Sequence, residues 1–256
     1  MTTQSIRWFW FSSPATFYPL AGTVAWIAGV LAAALTVAGL YVGFVVAPTD
    51  ATQGEAYRII YIHVPAAWMS MFLYVVMAFW SAVGLAMNVR LAFIMARVIA
   101  PTGALFTFIA LWTGSLWGKP TWGTWWVWDA RLTSELILLF LYAGYIALVS
   151  AIDDTRRADR AGALLAIVGS VNVPIIYFSV IWWNTLHQGA SVSVTAAPKM
   201  ASVMLLAMLL MTLAFWAYAF AVIFVRTRAI ALERDNHAAW ANDAVARAPV
   251  RQGASS

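Results

Sequence analysis

Residues 117–136 read WGKPTWGTWWVWDARLTSEL, with a long apolar run on either side. Five of the chain's fifteen tryptophans, Trp117, Trp122, Trp125, Trp126 and Trp128, fall within these first twelve residues, broken by Gly118, Pro120 and Gly123. Asp129 and Arg131 follow at once. An indole favours the membrane–water boundary, because its ring is apolar and its N–H needs a polar partner. One or two tryptophans at a helix end need no further reason. Five at this density describe an aromatic platform on one side of a membrane, suited to a large, flat, apolar ligand that carries a few charges.

The composition agrees with a membrane setting. The 256 residues are 63% hydrophobic and 10% charged, which places the chain among integral membrane proteins. There is no cysteine, so thiol–disulfide chemistry, an iron–sulfur cluster and a disulfide are excluded. The net charge of +5 is spread over short segments between apolar runs, so it is no nucleic-acid signal. No GxxxxGK[ST] loop occurs; an ATPase, if one is involved, is another chain, and no enzyme activity is expected here.

Six apolar runs are long enough to cross about 30 Å of hydrocarbon as helices: 21–46, 66–87, 92–116, 133–152, 162–182 and 202–225. The expected fold is therefore an all-α bundle of six transmembrane helices in one domain, residues 1–256. A short aromatic interfacial lead-in (1–20) precedes it. A polar tail (227–256) follows, read as a short amphipathic helix and then disorder. The first run starts too late and runs too long for a signal peptide. Basic residues set the orientation. With both termini inside, the inner segments carry eleven arginines, and the outer ones carry Arg58, Lys119, Arg131 and Lys199. The tryptophan-rich stretch is then outside, between the third and fourth helices. Glu135, at the start of the fourth, is expected to reach the interface. Pro101 and Pro174 fall in or near helices, and Asn172 stands ready to satisfy a carbonyl freed by a proline.

Histidine placement is the second signal. His63 precedes the second helix and His187 follows the fifth, both on the tryptophan side, whereas His237 is in the inner tail. Either histidine alone reads equally as an interfacial residue with a water or backbone partner. Together they flank an aromatic platform, and neutral imidazole binds metals. One metal held by two histidines, with a large planar apolar rim, describes haem. Zinc fits less well, because a third or fourth protein ligand is missing. Arg58 and Arg131 suit the haem propionates; the alternatives are lipid headgroups or ion pairs with Glu55 or Asp129. Asp129 reads as the cap of the fourth helix or as a group orienting Arg131 or an indole N–H.

Three stretches carry a family resemblance: YRIIYIHVPAAW (57–68), WGKPTWGTWWVWDARLTSELILLFLYAGYIAL (117–148) and VNVPIIYFSVIWWNTLHQGAS (171–191). They resemble the tryptophan-rich haem-handling family of cytochrome c maturation, in its CcmC-type branch. The resemblance implies a six-helix protein of the bacterial inner membrane that binds haem b at the periplasmic face as transient cargo. It implies delivery to the haem chaperone CcmE, in a complex with the ABC-transporter subunits CcmA and CcmB and the small membrane protein CcmD. Carried onto this chain, it makes His63 and His187 the axial ligands. Trp117, Trp122, Trp125, Trp126, Trp128 and Asp129 become the haem-contacting segment, and Arg58 and Arg131 the flanking cations. The loop 188–201 is more apolar than the family pattern. Two other readings stand beside this one: a permease that moves haem or another solute across the bilayer, and a membrane cytochrome b.

Overall fold

A computed structural model describes residues 13–183, 185–187, 192 and 200–246. The lead-in up to residue 12, most of the loop 188–201 and the tail beyond 246 lie outside the described residues. Apart from one isolated bridge between Asp50 and Gly54, regular structure among them is helical: α1 (Pro14–Tyr41), α2 (Ile60–Met87), α3 (Arg90–Trp122), α4 (Ala130–Ala151), α5 (Thr155–Gly169), α6 (Asn172–Trp182), α7 (Ser202–Arg234) and α8 (Ala239–Ala246). Six helical stretches are long and apolar enough to cross a membrane, with α5 and α6 together making the fifth. The protein is a multi-pass membrane protein of the expected class.

Helix ends differ from the apolar runs, and each difference bears on the site. The second span opens earlier than 66, with a 3-10 turn at Glu55–Ile59 that continues into α2. His63 is thus a helical residue, one turn inside α2, rather than part of the loop before it. The third span runs past 116 to Trp122 and takes Lys119 and Pro120 into its last turn. Gly123 ends it at φ 78°, a left-handed conformation that glycine adopts without strain. Trp117 and Trp122 are therefore carried on α3, and only Trp125, Trp126 and Trp128 lie on the short link to α4. The fifth span breaks at Ser170–Val171, which leaves Pro174 in the first turn of α6, where proline is tolerated. Asn172 does not satisfy a carbonyl of its own span. Its Nδ2 donates to the Ser134 carbonyl of α4 at 2.9 Å. The last span continues to Arg234, well past the expected end, and α8 is the helix expected in the tail.

Helix α2 is the hub, packing on α3, α5 and α7, while α1 lies along α7 at the edge of the bundle. The centre is aromatic. Tyr74 (α2) and Tyr142 (α4) meet edge to face, with ring centres 4.9 Å apart, and the Tyr142 hydroxyl donates to the Ser70 carbonyl at 2.8 Å. Glycines admit these rings: a Cβ on Gly103 would overlap the Tyr142 ring, and one on Gly169 the Tyr74 hydroxyl. With no water to drive helices together inside a bilayer, such close approach supplies the packing energy. The outward faces are apolar, as at Trp26, Val37 and Phe140, which suits contact with lipid tails.

At the end of the bundle that holds Arg90, α5 and α7 are tied by a two-point ion pair. Both guanidinium nitrogens of Arg234 lie 2.8 Å from the Asp159 carboxylate oxygens. Arg90 pairs with Asp235 at 2.5 Å and fastens the start of α3 to the end of α7.

Candidate haem-binding site

At the opposite end, three helices present periodic faces to one space. On α2, His63 and Ala67 are four residues apart; on α3, Ala110, Gly114 and Trp117 recur at intervals of four and three; on α4, Arg131 and Glu135 are again four apart. Residues at this spacing share a helix face. All seven line one pocket together with Trp122 and His187. A second cavity of about 280 Å³ shares His63, Ala67, Trp117, Arg131 and His187 with it. Its wall is completed by Val64, Trp68 and Met71 of α2, Tyr177, Val180 and Ile181 of α6, and Met208 of α7.

His63 and His187 face each other across this space. Their ring centres are 6.0 Å apart and the planes are tilted by 34°. Two in-line metal–imidazole bonds of about 2 Å each would put ring centres about 6 Å apart once the rings' own half-widths are added. The spacing of the ring centres has room for one ion between the two imidazoles. Among the described residues no group of three or more His, Cys, Asp or Glu side chains is placed to hold a metal. A bare ion would be short of ligands here, whereas an iron that brings four ring nitrogens with it needs only the two histidines.

The neighbour of His63 bears on its tautomer. Thr113 Oγ1 donates its proton to the Ile109 carbonyl at 2.6 Å and lies 3.1 Å from His63 Nδ1. With its only hydrogen so committed, the hydroxyl accepts from Nδ1–H. In that tautomer the Nε2 lone pair is open to a ligand, and a hydrogen-bond partner on the other ring nitrogen is the arrangement that orients metal-binding histidines in general. The ring is 7% exposed. It packs closely on Gly114 of α3, where a Cβ would stand 3.0 Å from His63 Cε1. Trp117 meets the same ring edge-on at 5.6 Å and donates its indole N–H to Gln53 Oε1 at 2.7 Å. Trp122 lies 6.2 Å from the ring of His187.

Of the ten sequence candidates, then, His63, His187, Trp117, Trp122 and Arg131 line the shared space. The other five do not line it. Arg58 is turned toward the end of the first span, where Nη1 donates to the Gly43 and Ala47 carbonyls at 2.7 and 3.0 Å and Nε to Glu55 at 2.5 Å. Of its sequence alternatives, the ion pair with Glu55 is the one realised. Asp129 caps α4, its Oδ1 accepting from the Leu132 amide at 2.8 Å. Trp125 lies beneath the Lys119 ammonium at 5.9 Å. Trp126 and Trp128 pack edge to face on each other, and Trp128 is 77% exposed.

Comparison with known proteins shows the family. The family described as "Heme exporter protein C" (CcmC) matches residues 7–242. The heme exporter protein C of Escherichia coli K12 is 55% identical over 179 residues, 70% of this chain and 73% of the relative. That of Haemophilus influenzae is 43% identical over 236 residues, 91% of this chain and 96% of the relative. A mitochondrial protein of Marchantia polymorpha, described as ccmC-like and of cytochrome c biosynthesis, is 51% identical over 159 residues. The chain belongs to the CcmC family.

Three residues of this candidate site escaped the sequence reading: Thr113, Gly114 and Gln53. Thr113, Gly114 and Ser115 interrupt an otherwise apolar run, and that small polar break was the available signal. Glu135 was misplaced rather than missed. It does not reach the interface: it is 6% exposed, and its Oε1 accepts from the Ser70 hydroxyl at 2.7 Å. A carboxylate in the first turn or two of a span looks interfacial until the helix facing it is known.

Proposed function

We propose that this protein binds haem b between His63 and His187 at the periplasmic face of the bacterial inner membrane and delivers it to the chaperone CcmE, in haem export for c-type cytochrome biogenesis. The observation that carries the reading is the 6.0 Å spacing of the two imidazoles at one end of the bundle. The name heme exporter protein C, borne by relatives that cover most of this chain, supports it. So does the excess of basic residues at the other end of the spans. CcmA, CcmB and CcmD are the partners the reading entails.

His63 supplies the fixed ligand through Nε2, its ring set by Thr113, Gly114 and Trp117. His187 supplies the second from the chain beyond α6. Trp117 and Trp122 cover apolar ring surface next to the two imidazoles. Arg131 Nη1 donates to the Ile176 carbonyl at 2.8 Å, and its remaining N–H groups can hold a propionate. Haem contributes iron with four nitrogens already bound. The protein adds the two axial ligands and can withdraw one when the cargo leaves.

The test is the absorption spectrum of the purified protein beside His63→Ala and His187→Ala. A six-coordinate low-spin spectrum that turns high-spin or disappears in each variant supports the ligand pair. A spectrum unchanged in both would remove it. Loading of CcmE should stop in the double variant while the protein stays in the membrane.

A further inference from the structure

At the end of the bundle opposite the histidines, a cavity of about 270 Å³ opens between α3, α4 and α7. Two arginines line it, Arg97 from α3 and Arg226 from α7. The only hydrogen bond described for either side chain runs from Arg226 Nη1 to the Thr102 hydroxyl at 3.3 Å. Among the described residues neither is paired with a carboxylate. Three acidic groups at this end are engaged elsewhere: Asp159 holds Arg234 with both oxygens, Asp235 holds Arg90, and Asp154 caps α5 through the Arg157 amide; Asp153 and Glu233 do not line the cavity. Two like charges facing one cavity repel each other unless an anion comes between them.

The rest of the wall decides what kind of anion. Its floor is buried and mostly apolar, made by Val98, Tyr145 and Val149, while Arg226, Ala229 and Ser150 at the rim are exposed. The cavity lies beside the ends of the spans: Arg97 is two turns into α3, Arg226 about two turns before the end of α7, and Ser150 next to the last residue of α4. At 33 residues α3 is longer than about 30 Å of hydrocarbon requires, so a group two turns from its end falls near the headgroup level. A soluble anion gains nothing from an apolar floor, whereas an amphiphile does.

We infer that this cavity is a binding site for an anionic phospholipid, whose phosphate is held by Arg97 and Arg226 while its glycerol and first methylenes lie on Val98, Tyr145 and Val149. Basic pockets between transmembrane helices suit such headgroups, and a guanidinium matches a phosphate in two-point geometry. The shared chemistry is a phosphate ester. The lipid is distinguished from free phosphate by the apolar contact.

The experiment measures the thermal unfolding midpoint of the full-length protein in neutral detergent, titrated in turn with phosphatidylglycerol, phosphatidylcholine and inorganic phosphate. Phosphatidylglycerol should raise the wild-type midpoint saturably, and the other two should not. Arg97→Gln with Arg226→Gln should abolish the rise. Arg156→Gln with Arg157→Gln, at the same end but off the cavity, should keep it. Each single substitution at Arg97 or Arg226 should weaken the titration about fivefold, so the test survives if the double variant does not fold. The proposal is overturned if the double variant keeps the wild-type rise, if the Arg156 and Arg157 control loses it equally, or if inorganic phosphate alone reproduces it.

Discussion

The hydroxyl of Ser70 on α2 lies 2.7 Å from Glu135 Oε1 on α4 and 2.8 Å from the Ala67 carbonyl, with its single proton shared between the two acceptors. The Ser70 carbonyl in turn accepts from Tyr142 of α4. One residue thus joins two helices inside the span, two turns from His63. Interhelical hydrogen bonds in membranes contribute about 0.6 kcal/mol on average. Ser70→Ala should therefore lower stability by only about 1 kcal/mol, whereas Glu135→Leu, which also removes the carboxyl bordering the haem cavity, should weaken haem binding. Glu135→Gln keeps an acceptor for Ser70 and should match wild-type stability. Thermal melts of the apo-protein with a haem titration separate the two effects; equal haem affinity in Glu135→Leu would remove this residue from the site.

Thr113 Oγ1 lies 3.1 Å from His63 Nδ1, so Thr113→Val removes this hydrogen-bond partner without touching Nε2. Loss of such a partner typically costs 10–100-fold in metal affinity. The expected result is a haem dissociation constant raised by about that factor, with the protein still folded and Thr113→Ser close to wild type. Haem titration of the three proteins checks it.

Gly114→Ala should act through space. The added methyl would come within 3.0 Å of His63 Cε1, and overpacking of this kind costs about 1–3 kcal/mol. Because the pressure falls on the ligand ring, the cost should appear as weaker haem binding and an altered spectrum rather than as lost expression. Unfolding and haem titration, run on the same preparation, show where the cost falls.

Asp159 and Arg234 form the most complete ion pair in the structure, with side chains 9% and 12% exposed. Asp159→Ala would leave a nearly buried guanidinium unpaired, at a cost of about 3 kcal/mol. The exchange Asp159→Arg with Arg234→Asp should recover part of it. Limited proteolysis between α7 and α8 would report the loosening directly.

These residues also show what could be read from the sequence and what could not. Six spans were legible because a bilayer demands about twenty apolar residues per crossing, and 15 tryptophans and three histidines in one short chain drew attention to the right end. Helix boundaries were not legible, because Lys119 and Pro120 look like loop residues yet sit in the last turn of α3. Glu135 was misjudged because its partner, Ser70, is 65 residues away in sequence. The pairing of His63 with His187 followed from residue type, but the distance between their rings follows only from the packing of α2 against its neighbours.

The turn at Gly123 divides the tryptophans. Before it, Trp117 and Trp122 point at the imidazoles; after it, Trp125 and Trp128 are 53% and 77% exposed. The two groups should therefore be genetically separable. Replacing Trp117 or Trp122 by Ala should bleach the protein. Replacing Trp125 and Trp128 should leave it coloured but unable to pass its cargo on, a trap that accumulates loaded protein in the cell. A motif that looks like one block in the sequence would then encode two successive events, capture and hand-off, joined by a single glycine.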